Sequence, residues 1–79
     1  MTREEILTAL KEVFSVVKPS INLDNVGFES NLASELGVDS LSMLLMSLAI
    51  ENKFGFQFKT QTVFEKVGDV VDYIKQATD

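Results

Sequence analysis

Apolar residues recur at intervals of three and four along most of this chain, a spacing that restricts it to a helical fold. The pattern is clearest near the N-terminus, where Thr2 and Glu5 can each accept a hydrogen bond from the other residue's backbone N–H. Behind this capping box lie five apolar residues of one face: Ile6, Leu10, Val13, Phe14 and Val17. We predict a first helix from about Arg3 to Val17, ended by Pro19.

Two further segments have helical signals. A second helix is expected to begin at Asp39 or Ser40, with Asp39 as a good N-cap, and to run to about Lys53, where Phe54-Gly55 ends it. A last helix is predicted from about Val67 to Gln76, because its apolar and acidic residues alternate with a helical period. Between these two helices we expect a short helix around Thr60 to Val63.

The segments that join the helices carry apolar residues of their own. The first, Lys18 to Leu36, is long for a loop, and its apolar side chains predict that it packs across the helices. The second, "FGFQF", is interpreted as an extended connector with Phe54 and Phe58 turned inward. The predicted fold is all-α: one domain over 1–79, a small four-helix bundle of three main helices and a short third helix.

Composition excludes several classes of function. The 79 residues include no His and no Cys, so the usual general base, disulfides and thiolate metal sites are absent, and neither a catalytic nor a metal site is expected. The net charge of −5 argues against nucleic acid and anionic membranes as partners. There is no signal peptide and no window apolar enough for membrane insertion. We therefore expect a cytoplasmic monomer, and the initial Met with the polar end "QATD" favours a freestanding protein.

The second helix has two apolar stripes when its residues are placed about 100° apart. One stripe comprises Met43, Met46, Ile50 and Phe54. The other is here named the leucine patch: Leu41, Leu44, Leu45 and Leu48. A helix of so small a domain can bury one stripe but hardly both, so either other elements wrap this helix or the leucine patch is exposed for an interaction.

Ser40 stands at the start of this helix, and its role admits several interpretations. It could cap or pack the helix, as serines there commonly do. Catalysis is excluded, because there is no His and "GVDSL" is not a nucleophile elbow. Attachment of a phosphate ester is a third interpretation, since a helix N-terminus favours phosphate.

A resemblance bears on this choice. Residues 28–58, "FESNLASELGVDSLSMLLMSLAIENKFGFQF", resemble the acyl carrier protein family, and "LGVDSL" fits its L-G-x-D-S-L signature. Phe28, Leu32, Glu51 and Phe54 support the match, as does "VGDVVDYI" in the last helix. The resemblance covers nearly the whole chain in length and helix order.

The resemblance implies that Ser40 receives 4′-phosphopantetheine from coenzyme A, through a separate transferase that uses Mg²⁺. The thiol of that arm would carry the acyl group as a thioester. Asp39 would help to dock the phosphopantetheinyl transferase, and Leu41 would belong to the surface that faces partners. Met46, Ile50 and Phe54 would line a place for the acyl chain.

The second helix also departs from the family pattern. Ser42 and Leu45 stand where acidic residues are common, which leaves Glu51 as the one acid from Ser40 to Phe54. We therefore expect the leucine patch and Glu51 to form a partner surface for acyl-loading and synthase enzymes of fatty-acid, polyketide or related specialised lipid synthesis. The weaker charge favours a specialised carrier that serves a dedicated synthase or ligase over the housekeeping fatty-acid carrier. The alternatives are a peptidyl or aminoacyl carrier of a nonribosomal system, and a helical adaptor without a prosthetic group.

Overall fold

Three α-helices make up most of the computed structural model, which describes residues 1–58 and 64–78. They are α1 (Arg3–Val17), α2 (Ser40–Phe54) and α3 (Val67–Thr78), and a 3-10 turn (Leu23–Asn25) lies between the first two. Within those ranges there is no strand, only one isolated bridge between Asn31 and Lys66. The all-α prediction is confirmed. The short helix expected at Thr60–Val63 falls outside the described residues, so the four-helix count stays a prediction.

Local capping explains where the helices begin and end. Thr2 and Glu5 form both bonds of the capping box, at 3.1 and 2.8 Å, which fixes the start of α1. At the end of α2, Gly55 has a φ of 74°, and its N–H donates to the carbonyl of Glu51 at 2.9 Å. Such left-handed backbone favours glycine, so Gly55 ends this helix where the sequence predicts.

The core is arranged around α1, because α2 and α3 both pack against it. Its fully buried large side chains come from all three helices: Ile6, Leu10, Phe14, Met46, Ile50, Val67, Val70, Val71 and Ile74. Exposed ion pairs at 2.9 Å join Arg3 to Asp72 and Lys53 to Glu12 across the two helix interfaces. Exposed pairs stabilise little, so apolar burial supplies most of the cohesion.

The long segment between α1 and α2 packs against the core, as predicted. Val26, Leu32 and Val38 are buried, and they cover the side of the core that the helices leave open. The segment is also joined to the start of α3 by three backbone hydrogen bonds, here called the clasp. The clasp comprises Gly68 N to Phe28 O at 2.8 Å, Val67 N to Ser30 O at 2.9 Å, and Leu32 N to Glu65 O at 2.9 Å.

The connector after α2 is more buried than its alternating sequence predicts. Phe54 and Phe58 pack against the core as expected, but Phe56 is half-buried as well. The reason is a cluster of aromatic rings with centroids 5.0 to 6.1 Å apart, formed by Phe56, Phe58, Phe64 and Tyr73. Edge and tilted contacts of this kind stabilise aromatic side chains on both faces of an extended segment.

Candidate functional site

Ser40 is the first residue of α2 and lies on the surface. Asp39 caps the helix in its place, since its Oδ1 accepts a hydrogen bond from the backbone N–H of Ser42 at 2.8 Å. Within the part of the chain that the structure describes, the Ser40 hydroxyl forms no hydrogen bond. The capping interpretation of Ser40 is therefore wrong, and its hydroxyl is free for another use.

Asp39 carries a stable negative charge beside this hydroxyl. The hydrogen bond from Ser42 holds the pKa of the Asp39 carboxyl below its ordinary value of 3.8, and the positive charge of Lys18 adds to the effect. Both favour the ionised form, as does the positive end of the helix dipole. The cap at the start of α2 is therefore a carboxylate at neutral pH.

This charged cap predicts an acid-sensitive contribution to stability. Because the folded pKa of Asp39 is lowered, its stabilisation is fully present above the unfolded pKa and is lost as pH falls through the folded pKa. Asp39→Asn keeps a capping oxygen but cannot titrate. We expect the parent to have the higher urea midpoint near neutral pH, and the two midpoints to converge well below pH ~4. Equal midpoints near neutral pH would contradict the prediction, and the other carboxyls cancel in the comparison.

The turn before Ser40 is fixed by contacts from outside α2. Gly37 has a φ of 68°, and its carbonyl accepts a hydrogen bond from the Lys18 ammonium at 2.7 Å. The next residue, Val38, is buried and donates its N–H to the carbonyl of Leu32 at 2.8 Å. Ser40 is therefore presented at the end of a well-defined turn.

The two stripes of α2 differ in burial, although Met43 and Phe54 of the first stripe are only half-buried. Met46 and Ile50 are each 1% exposed and belong to the core. The leucine patch faces outward: Leu41 is 66%, Leu44 55%, Leu45 47% and Leu48 56% exposed. The structure thus brings the four leucines together on one exposed face that begins directly beside Ser40. Contiguous exposed apolar surface of this kind marks interaction sites.

Glu51 has a structural contact that its sequence position did not predict. Its Oε2 accepts a hydrogen bond from the backbone N–H of Phe58 at 2.7 Å, which secures the connector against α2. Glu51 also borders an open groove of about 440 Å³ at the end of α2, lined by Leu48, Glu51, Asn52, Gly55, Phe56 and Gln57. One of its oxygens is therefore engaged within the fold, and its predicted role toward partners stays a prediction.

The site offers an alcohol, the Ser40 hydroxyl, and a carboxylate, that of Asp39. Over residues 1–58 and 64–78, no three potential ligand side chains are grouped for a metal ion. The helices of that same part of the chain are too short or too polar to cross a membrane. The exposed hydroxyl can form an ester, and the ester would then project away from the bundle beside the N-terminus of α2.

The chain is similar to one family model and to several known proteins. A family model described as "Phosphopantetheine attachment site" matches residues 4–74. The chain is 41% identical to the acyl carrier protein of Acidothermus cellulolyticus, over 99% of this chain and 94% of that protein. It is 33% identical to the acyl carrier protein of Coprothermobacter proteolyticus, over 95% and 93%. It is 34% identical to the meromycolate extension acyl carrier protein of Mycolicibacterium smegmatis, over 95% and 77%.

Proposed function

This chain belongs to the acyl carrier protein family, and from that premise we propose that Ser40 is the residue that bears its 4′-phosphopantetheine. The protein is a carrier rather than an enzyme, and it carries acyl groups as thioesters on that arm. The observation that supports Ser40 is its exposed hydroxyl, which lies at the N-terminus of α2 and takes no part in capping the helix.

In the attachment reaction, the main role of this chain is to present the Ser40 hydroxyl. The Ser40 oxygen forms a new bond to the phosphorus next to the pantetheine of coenzyme A, and the bond within the pyrophosphate breaks. Adenosine bisphosphate leaves, and the hydroxyl proton passes to a base of the transferase, which also supplies Mg²⁺. When bound, the arm supplies the thiol that this Cys-free chain lacks. Asp39 keeps the helix start, and therefore the hydroxyl, in place.

The experiment is the intact mass of the folded protein after incubation with coenzyme A, Mg²⁺ and a broad-specificity phosphopantetheinyl transferase. A gain of one phosphopantetheine that maps by peptide mass to Ser40 supports the proposal. A gain that maps to another serine overturns the assignment of Ser40.

We further propose that the leucine patch selects the partner enzymes. From Ser40 to Phe54, α2 has one acid and one base, Glu51 and Lys53, and the Lys53 ammonium is paired with Glu12. Attraction of a basic partner by charge is therefore weak along this face, and recognition relies on apolar contact. This surface suits a dedicated synthase or ligase of specialised lipid metabolism better than a general fatty-acid synthase with a basic docking surface.

Leu45→Glu tests that partner choice by restoring an acid where family members commonly have one. We expect the parent to bind a general fatty-acid ketosynthase weakly, and Leu45→Glu to tighten binding by up to about fivefold, the value of an exposed ion pair. Binding is measured by titration calorimetry at low and high salt, and the gain should disappear at high salt.

Val16→Glu is the matched control, because Val16 is 79% exposed on α1 and lies outside the leucine patch. It adds the same charge and should leave binding unchanged. The proposal is wrong if the parent already binds this ketosynthase as tightly as a housekeeping carrier does.

The remaining proposals concern setting rather than chemistry. We propose one acyl-carrier domain over 1–79 that acts as a cytoplasmic monomer with phosphopantetheinyl transferase, acyl-loading and synthase enzymes as partners. We also propose that the bundle has four helices. Support comes from the match to the family model over residues 4–74 and from the coverage of full-length relatives.

A further inference from the structure

Lys18 links the end of α1 to the turn that precedes Ser40. It is the residue directly after α1, and its own N–H donates to the carbonyl of Phe14 at 2.8 Å. Its ammonium group crosses to the carbonyl of Gly37, 19 residues later, at 2.7 Å. The Lys18 side chain thereby joins the two ends of the long segment between α1 and α2.

The contact is close along the side chain as well as at its tip. A Cβ atom added to Gly37 would lie 3.6 Å from Cε and 3.7 Å from Nζ of Lys18, so the end of the lysine stem lies against the backbone of this glycine. Gly37 has a left-handed φ of 68°, and glycine adopts positive φ about as readily as negative φ. The Gly37 carbonyl shares a planar peptide group with the Val38 N–H, which is bonded to Leu32, and the Lys18 ammonium holds the same peptide group from outside the turn.

Three hydrogen bonds determine the path from Gly37 into α2. Val38 N donates to Leu32 O, Ser42 N donates to Asp39 Oδ1, and Lys18 Nζ donates to Gly37 O. The first two lie within residues 32–42 and shape the turn, which the buried side chain of Val38 and the clasp bond of Leu32 also hold on the bundle. The third comes from Lys18, directly after α1, and ties the turn to the end of that central helix. Lys18 also adds a positive charge that favours the ionised Asp39 cap.

We propose that Lys18 is a positioning residue for the attachment reaction. Lys18 orients the turn from Gly37 to Ser40 so that the Ser40 hydroxyl meets the transferase in a reactive geometry. This inference rests on the proposed attachment at Ser40. A hydroxyl displaced by about 1 Å reacts far more slowly even when the complex still forms, because the reacting atoms lose their alignment. The loss is therefore expected in kcat rather than in KM.

The test is the steady-state kinetics of phosphopantetheine transfer to four proteins: the parent, Lys18→Met, Lys18→Arg and Lys53→Met. Lys18→Met keeps the apolar stem and removes the donor, and its kcat should fall about tenfold with KM changed less than about twofold. Lys18→Arg retains a cationic donor and should recover most of the rate. Lys53→Met removes an exposed lysine of α2 that is paired with Glu12, and should behave as the parent.

Hydrogen exchange of the backbone N–H groups of residues 38–43 gives a second readout without the transferase. We expect faster exchange in Lys18→Met and parent-like exchange in Lys53→Met, with circular dichroism unchanged in both. If Lys18→Met does not fold, Lys18→Ala takes its place, because it also removes the donor at position 18.

Several results would overturn the inference. Parent-like kcat in Lys18→Met would do so, as would an equal loss in Lys18→Arg. A loss confined to KM that vanishes at high salt would show that Lys18 is a docking charge and not a positioning residue. Failure of the parent itself to gain an arm would instead reject attachment at Ser40, so the two proposals fail in different ways.

Discussion

Replacing Ser40 with alanine is expected to abolish phosphopantetheine attachment while leaving the fold intact. The hydroxyl is the proposed acceptor, so its removal leaves no oxygen at position 40 to receive the phosphate. Ser40 is exposed and Asp39 forms the cap, so the free energy of unfolding should change by no more than about 0.5 kcal/mol. Intact mass after incubation with the transferase checks the loss of attachment. Urea denaturation checks that the stability of the fold is unchanged.

Ser42→Ala is the matched control for this experiment. Ser42 lies on the same turn of α2, and its contribution to the cap is a backbone N–H that alanine retains. This variant should gain one arm, as the parent should. Attachment to Ser40→Ala, or none to a folded parent that was not already modified, would reject the proposed site.

The second large effect is expected at Gly68, in the first turn of α3. A Cβ atom there would lie 2.9 Å from the carbonyl oxygen of Phe28, which accepts the N–H of Gly68 at 2.8 Å in the clasp. Backbone atoms must therefore shift, and Gly68→Ala should lose about 2 kcal/mol of unfolding free energy from the clash. This loss is the net value. It already allows for the better helix propensity of alanine, which by itself would stabilise the helix by at most about 1 kcal/mol. Urea denaturation measures the net loss.

Gly27→Ala separates this clash from a general effect of adding a methyl group. An added Cβ at Gly27 meets no atom within 4 Å, so its unfolding free energy should stay close to that of the parent. If Gly68→Ala were as stable as Gly27→Ala, the close approach of Phe28 would not constrain the start of α3.

Sequence reasoning predicts the helices well because their ends depend on neighbouring residues. The capping box at Thr2 and Glu5, the cap at Asp39 and the left-handed Gly55 are all local signals. They place α1 at its observed bounds and α2 within one residue of its observed end. The last helix is predicted to end at about Gln76 and continues to Thr78, since neither Ala77 nor Thr78 is a glycine or proline that would stop it.

Features of the candidate site that depend on local sequence are likewise predictable, whereas those that depend on distant contacts are not. Helical geometry separates the leucine patch from the stripe of Met46 and Ile50, but the burial of that stripe in the packed structure decides which of the two is exposed. The bond from Lys18 to Gly37 and that from Phe58 to Glu51 join residues 19 and 7 positions apart. No periodic pattern encodes such pairs, because they depend on how the loop and the connector pack. The same reason explains the unpredicted 3-10 turn at Leu23–Asn25 and the burial of Phe56.

The clasp and the Lys18 contact together have a consequence for how a carrier delivers its cargo. The segment that leads to Ser40 is bonded to the start of α3 and, through Lys18, to the end of α1, so these contacts hold the proposed anchor close to the bundle. The reach of the cargo is then set by the length of the arm and by tumbling of the whole protein. Successive enzymes must therefore each bring an active site to within one arm's length of the same fixed point.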